Sequence, residues 1–186
     1  MKLGVVFELI QADKLFIPKK TIMANLINEE DARLTGDTLN GLFICGLKNM
    51  YWSELRLATS LSDMAMGAAS DDLKKAIEPY LEQTENQADR LRLAFDYIGE
   101  KTKASKCGAM DCIIKEAETL MDEMERGTEG RDIALLSAVQ EAEHYKIASY
   151  STMQTVAQLL GYSETAELLN ATLQEEQVCS LLAMMN

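Results

Sequence analysis

One histidine, His144, stands in a chain of 186 residues. That scarcity excludes, within one subunit, the complete di-iron site of carboxylate bundles, which takes two Glu-x-x-His pairs. The chain has two prolines and 6% aromatic residues, so Leu, Ala and Met must fill the interior, a mixture that favours helices packed on helices. No apolar run of about 18 residues occurs, so no segment reads as a transmembrane helix. The opening MKLGVVFELI is interrupted by Glu8 and lacks a signal-peptide core and cleavage site. Basic residues number 18 against 30 acidic ones, a net charge of −12, which argues against nucleic acid and anionic membrane as partners. Cys45, Cys107, Cys112 and Cys179 include no CxxC pair. They are expected to be buried free thiols in a reducing cytoplasm, and a Cys107–Cys112 zinc or redox site lacks a second ligand pair. The chain also has no phosphate-cradling glycine loop and no recognisable nucleophile–base pair, so nucleotide hydrolysis and acyl transfer lose support.

What is present is helical periodicity with clear stops. Residues 1–37 differ from the rest: a mixed apolar segment, the break Ile17-Pro18-Lys19-Lys20 and the polar run Asn28-Glu29-Glu30-Asp31. They read as an N-terminal extension, partly helical or flexible, with a short helix around Ile22 to Arg33 and Met23 as a second candidate start. Residues 38–186 then divide into helical blocks. The first spans about Thr38 to Met66 and stops at Gly67; the second opens on a Ser70-Asp71-Asp72 cap and closes at Ile98-Gly99. A shorter amphipathic piece carries Met110, Ile113, Ile114, Ala117, Leu120, Met121 and Met124 and stops near Gly127. The third long block spans about Arg131 to Leu160 before Gly161, and the fourth runs from a Ser163 cap to about Met184. This pattern predicts an all-α domain: an antiparallel four-helix bundle with a short extra helix between the second and third long helices. Pro79 falls inside the second block and removes one backbone bond, to the carbonyl of Lys75. The apolar stripe keeps its phase past it, through Ile77, Leu81, Thr84, Ala88, Leu91 and Phe95, so one kinked helix is expected.

Polar residues interrupt each apolar face. Glu54 is the only charge on the stripe Leu47, Tyr51, Glu54, Ala58, Leu61. Thr84 and Gln87 lie amid Leu81, Ala88 and Leu91 on the second helix. On the third, Leu136, Val139, Glu143, Ile147 and Tyr150 share a face, with His144 beside Glu143 and Gln140 one turn back. On the fourth, Glu176 interrupts Leu169, Thr172 and Cys179, with Glu175 as the alternative if the phase is shifted. Glu54, Glu143 and Glu176 all fall near mid-helix, and antiparallel packing brings them to similar depth. A carboxylate buried in this way must be paired, protonated or bound to a cation. Two readings follow. Glu54, Glu143, His144 and Glu176 hold one or two divalent ions, or the carboxylates belong to a satisfied polar network with Tyr51, Thr84, Gln87 and Tyr150. Glu141 and His144 form a literal Glu-x-x-His, the local spacing of a metal-binding pair.

These residues also carry a family resemblance. The segments Tyr51-Trp52-Ser53-Glu54, LEQTENQADRL at 81–91, KCGAM at 106–110, EHYKIASY at 143–150 and TLQEE at 172–176 resemble the ferritin-like bacterial stress proteins of the YciF/YciE family, over about residues 38–184. The resemblance implies a ferritin-like, rubrerythrin-related bundle, a homodimer and a role in stress responses, without an established activity. It also implies that Glu54, Glu143 and Glu176 match the family's carboxylates. Two positions depart from that pattern: Tyr80 stands where many members carry histidine, and Lys146 where they usually carry a second glutamate. Lys146 competes with a cation for Glu143, and a Glu143–Lys146 contact one turn apart is the expected metal-free replacement. Glu141 lies outside the pattern, which makes the Glu-x-x-His fortuitous.

The sequence leaves two functions open. One is a cytoplasmic stress protein with a weakened di-metal site taking iron or manganese, acting as a non-haem oxidase or peroxidase. The other is a metal-free dimeric bundle with a structural or interaction role. A large storage cage is not expected.

Overall fold

A computed structural model describes the backbone of residues 29–184 and the side chains of residues 38–178. Among the described residues, five helices run in chain order: α1 (Glu29–Gly67), α2 (Asp71–Tyr97), α3 (Gly108–Glu123), α4 (Glu129–Leu160) and α5 (Ser163–Met184). The chain divides into two compact units, residues 1–38 and 39–186. The expected short helix around Ile22 to Arg33 and the candidate start Met23 fall largely outside the described residues. From Glu29 onward the chain is helical and belongs to α1, so the first helix includes residues before Thr38. Gly36 does not stop it, because a single glycine costs a helix only about 1 kcal/mol.

Local chemistry sets the other boundaries. Ser70 caps α2 by accepting from the Leu73 N–H at 3.2 Å, with Asp71 and Asp72 in the first turn facing the positive end of the helix dipole. Pro79 leaves α2 unbroken. It and Lys75 are both exposed, so the carbonyl that loses its partner lies on the side open to water. Thr128 caps α4, which begins at Glu129 rather than Arg131. Gly161 ends α4 at φ 79°, a left-handed conformation that suits glycine.

Side-chain partners show that the helices are antiparallel. Between α2 and α5, Gln87 meets Glu176, Arg90 meets Thr172, and Thr165 reaches the Ala94 carbonyl, so one helix rises as the other descends. Glu54 lies beside Lys146 and Gly46 beside Met153, which sets α1 against α4 in the same sense. The apolar interior forms two clusters. One contains Phe43, Leu47, Leu91, Phe95, Met153 and Leu169, and the other Leu57, Leu61, Ile77, Met110, Ile114 and Leu135. Glu54, Gln87 and Lys146 fall between them along their own helices, as a polar layer across the middle of the bundle.

Two expectations need correction. Cys45 and Cys112 are exposed, and only Cys107 is a buried free thiol among the described residues, its Sγ 2.9 Å from the Tyr145 hydroxyl. The buried face of α4 passes through Leu135, Val139, Ala142, Glu143, Lys146 and Tyr150, whereas Leu136 is 42% exposed. The stripe is therefore rotated by about one residue from the Leu136–Ile147 face, and this rotation carries Lys146 inward.

Arg131 and Asp132 tie the helix ends together. The buried Arg131 guanidinium donates to the Gly67 carbonyl at 2.8 Å, the Met124 carbonyl at 3.0 Å and the Met121 carbonyl. It thus satisfies the open ends of α1 and α3 at once. Asp132 accepts the Ala69 and Ser70 N–H groups at 2.6 and 2.8 Å, which holds the α1–α2 turn and keeps its carboxyl below the usual carboxylate range despite partial burial. Arg131→Met strands these carbonyls and is expected to cost about 3 kcal/mol in urea unfolding; a loss below about 0.5 kcal/mol would contradict the clamp.

Candidate functional site

The polar layer is built around one ammonium group. Lys146 of α4 is fully buried, at 0% exposure, and its Nζ lies 3.0 Å from Glu54 Oε2, 3.1 Å from Glu176 Oε1 and 2.6 Å from Gln87 Oε1. The ammonium donates to Gln87 Oε1 and pairs with the carboxylates of Glu54 and Glu176, so it engages three other helices at once. The Tyr80 ring lies under the same group, its centroid 5.2 Å from Nζ, close enough for a cation–π contribution.

A surrounding shell fixes the carboxylates. Tyr150 donates its hydroxyl to Glu54 Oε1 at 2.6 Å. Glu176 Oε1 accepts from Gln87 at 2.7 Å and Gln83 at 3.0 Å and pairs with Lys146, whereas among the described residues Glu54 Oε2 and Glu176 Oε2 have no hydrogen-bond partner. Outside this, Arg90 grips Glu175 through two bonds of 2.7 and 2.8 Å and bonds the Thr172 hydroxyl. Gln83, Arg90 and Glu175 also line an open groove along α2 and α5, so this side of the layer lies nearest to solvent.

The electrostatics follow from counting charges. Burial alone would push Lys146 down, but Glu54 and Glu176 outweigh it and hold the ammonium above the ordinary lysine value. Burial pushes Glu54 up; Lys146 pulls it back, Glu176 pushes it up again, and the carboxyl stays above its usual range. Burial and the neighbouring Glu54 likewise keep Tyr150 well above an ordinary phenol, so it remains a hydrogen-bond donor. Two acids thus share one base, and Glu54 holds its proton more tightly than an ordinary carboxyl. Burial also pushes Glu175 up, but Arg90 outweighs it and leaves that carboxyl below its usual range.

The sequence-derived residues separate clearly. Glu54, Gln87 and Glu176 meet at the ammonium, and Glu143 is buried one turn before Lys146 at 2% exposure. The ion pairs of Lys146 described above reach across the bundle to α1 and α5, so its role exceeds the local Glu143 contact expected from spacing. Glu175 faces Arg90 at the rim and is not needed as a replacement for Glu176. Thr84 is buried but bonds its own helix at the Tyr80 carbonyl, and Tyr51 receives Arg92 at 2.8 Å. His144 is exposed, with Nδ1 2.7 Å from the Gln140 carbonyl, so neither His144 nor Gln140 is seen to join the layer. Gln83 had no signal beyond its position one turn before Gln87. Lys146 did have one: it lies four residues before Tyr150 and three after Glu143, in phase with both.

A metal ion does not fit this arrangement. Among the described residues no three His, Cys, Asp or Glu side chains converge so as to hold one. The point nearest to both Glu54 and Glu176 is taken by the positive charge of Lys146.

Residues 38–181 match the model of a family described as a domain of unknown function, DUF892. The chain belongs to the DUF892 family. Protein YciF of Escherichia coli K12 is 37% identical over 145 residues, covering 77% of this chain and 87% of YciF. The crystal structure of the E. coli stress protein YciF superposes with a TM-score of 0.74 at 35% identity, over 78% of this chain and 92% of that one. YcfI of Rhodopseudomonas palustris superposes with a TM-score of 0.75 at 30% identity, over 80% and 94%. The all-α bundle and the resemblance carried by the five sequence segments thus agree with these structures.

Within this DUF892 core the charges predict an asymmetry. Lys146→Met leaves two buried carboxylates without their cation and is expected to cost about 3–5 kcal/mol. Glu54→Gln leaves one acid for one base and is expected to cost no more than about 1 kcal/mol. Equal losses in urea unfolding would contradict this charge count. Because the folded state raises the Lys146 pKa, its stabilisation is complete below the unfolded lysine value of about 10.4 and fades as pH rises through the higher folded value. The gap between wild type and Lys146→Met should therefore persist from neutral pH to about pH 10 and narrow above that; a gap that already closes near pH 8 would show that the amine is neutral in the fold.

Proposed function

We propose that this DUF892 chain is a stress-response protein that works through its fold and surface, as a homodimeric structural or interaction bundle, rather than as a metal oxidase. The observation that carries this reading is the fully buried Lys146 ammonium between Glu54 and Glu176. A di-metal carboxylate enzyme uses such acids to hold ions that bind and activate a small oxidant. Here the same acids are engaged by a side chain that cannot leave, and the single histidine faces outward. The stress role rests on the likeness to the E. coli stress protein YciF. Dimerisation rests on the family resemblance and a cytoplasmic place on the scattered cysteines without a CxxC pair; no described helix is long and apolar enough to cross a membrane.

Protein purified without chelator tests this reading. Elemental analysis is expected to find less than about a tenth of an iron or manganese ion per chain, and added Fe2+ or Mn2+ to leave Tm unchanged, since a ligand that binds the native state must raise it. Light scattering should give a dimer. Stoichiometric metal that is lost in Glu54→Gln or Glu176→Gln would restore the metal-oxidase reading.

A further inference from the structure

Acidic and apolar side chains line up along the outside of α2, beside the open groove that it forms with α5. We infer that this groove is a docking surface for a basic amphipathic helix of a partner protein. The inference rests on the proposed reading of the chain as an interaction bundle and names the chemistry of its partner.

The groove has a volume of about 540 Å3 and is lined from Pro79 to Leu93 on α2, with Leu168 and Glu175 on the α5 side. Pro79 and Leu93 stand about 21 Å apart along the axis of α2, the length of roughly four helical turns. Antiparallel helices form its two walls, and a third helix packs on such a pair by setting its side chains into the furrow between them.

The charge along this length is mostly of one sign. Between Lys75 and Arg90, α2 has no basic residue, and Glu78, Glu82, Glu85 and Asp89 follow at steps of four, three and four on one stripe. Asp89 is paired with Arg92, and Glu175 across the groove with Arg90. Glu78, Glu82 and Glu85 are exposed and have no ion pair among the described residues. Behind this wall, Glu176 accepts from the groove-lining Gln83 and keeps Oε2 buried without a hydrogen-bond partner among the described residues. Lys146 is outnumbered there by Glu54 and Glu176, so the core adds no net positive charge to offset the stripe. Such a surface attracts a cationic partner and disfavours a second copy of a chain whose net charge is −12.

Charge alone would suit a small polycation equally well, and the apolar end of the groove favours a helix. Leu93 is 51% exposed and Tyr97, one turn further, 60%, with the half-buried Leu168 of α5 in the same lining as Leu93. A partner that covers them needs apolar residues on the same face as its lysines or arginines, which is the pattern of an amphipathic helix. An exposed tyrosine beside leucine is also the kind of anchor that protein interfaces favour.

The test follows the fluorescence anisotropy of a dye-labelled leucine/lysine amphipathic helix of about 18 residues added to the native protein and three variants. Glu78→Gln/Glu82→Gln/Glu85→Gln removes the unpaired acids, and Leu93→Ser/Tyr97→Ser removes the apolar end. Glu116→Gln/Asp122→Asn/Glu123→Gln removes equal charge from exposed positions of α3. The native protein should bind this peptide and not its leucine/glutamate counterpart. The first two variants are expected to weaken binding roughly tenfold each and the third less than about twofold, with unchanged helical circular dichroism in all three. No binding by the native protein, or equal weakening by the α3 variant, overturns the inference. Unchanged affinity in Leu93→Ser/Tyr97→Ser also overturns it, since a small polycation would then serve as well. So does a native dimer that dissociates in that variant, because a second copy then covers this face. Each of these outcomes leaves the metal-free reading intact, whereas stoichiometric iron or manganese in the native protein overturns that reading and leaves the peptide binding as measured.

Discussion

The structure depends on how one buried positive charge is shared. Lys146 enters the centre of the bundle from α4 and binds α1 through Glu54, α2 through Gln87 and α5 through Glu176. Each of these groups would be costly to bury alone, and each is tolerable because the others are there. The set acts as a register pin. Sliding any one helix by a turn would separate its member from Nζ and strand the rest. Apolar clusters on either side supply most of the burial, but hydrophobic contact is non-directional, and the polar layer fixes which residue meets which.

The same logic reappears at the ends of the helices. Arg131 gathers carbonyls from the ends of α1 and α3, and Asp132 gathers N–H groups from the turn before α2. Adjacent residues of opposite charge at the start of α4 therefore join three other elements. The charged groups that matter for the fold are few, buried and multiply bonded, whereas most of the chain's net charge of −12 is borne at the surface. That surface is the part left to act if the core is closed to chemistry.

Much of this was legible in the chain itself. Glycine stops, Ser70 and the apolar stripes located the helices, and the stripes alone marked Glu54, Glu143 and Glu176 as buried. The inference failed where a single position decided between faces. On α4 the series Leu136, Val139, Glu143, Ile147 and Tyr150 leaves Lys146 off the stripe, and spacing alone pairs it with Glu143; a lysine becomes a core residue only when acids on other helices are placed to receive it. His144 misled for the opposite reason. Its spacing from Glu141 imitates a ligand pair, but the rotation that brings Glu143 and Lys146 inward turns the imidazole out. Gln83 and the outer Arg90–Glu175 pair depend on the docking of α2 against α5, which one-dimensional periodicity does not encode.

The central claim is that Lys146 carries a full charge in the middle of the bundle. The most direct measurement is 15N magnetic resonance of lysine side chains near neutral pH, where exposed ammonium protons exchange too fast to be seen. The account predicts one slowly exchanging NH3+ signal that is lost in Lys146→Met and perturbed in Glu54→Gln. The absence of any protected lysine ammonium, or a signal with the shift of a neutral amine, would contradict it.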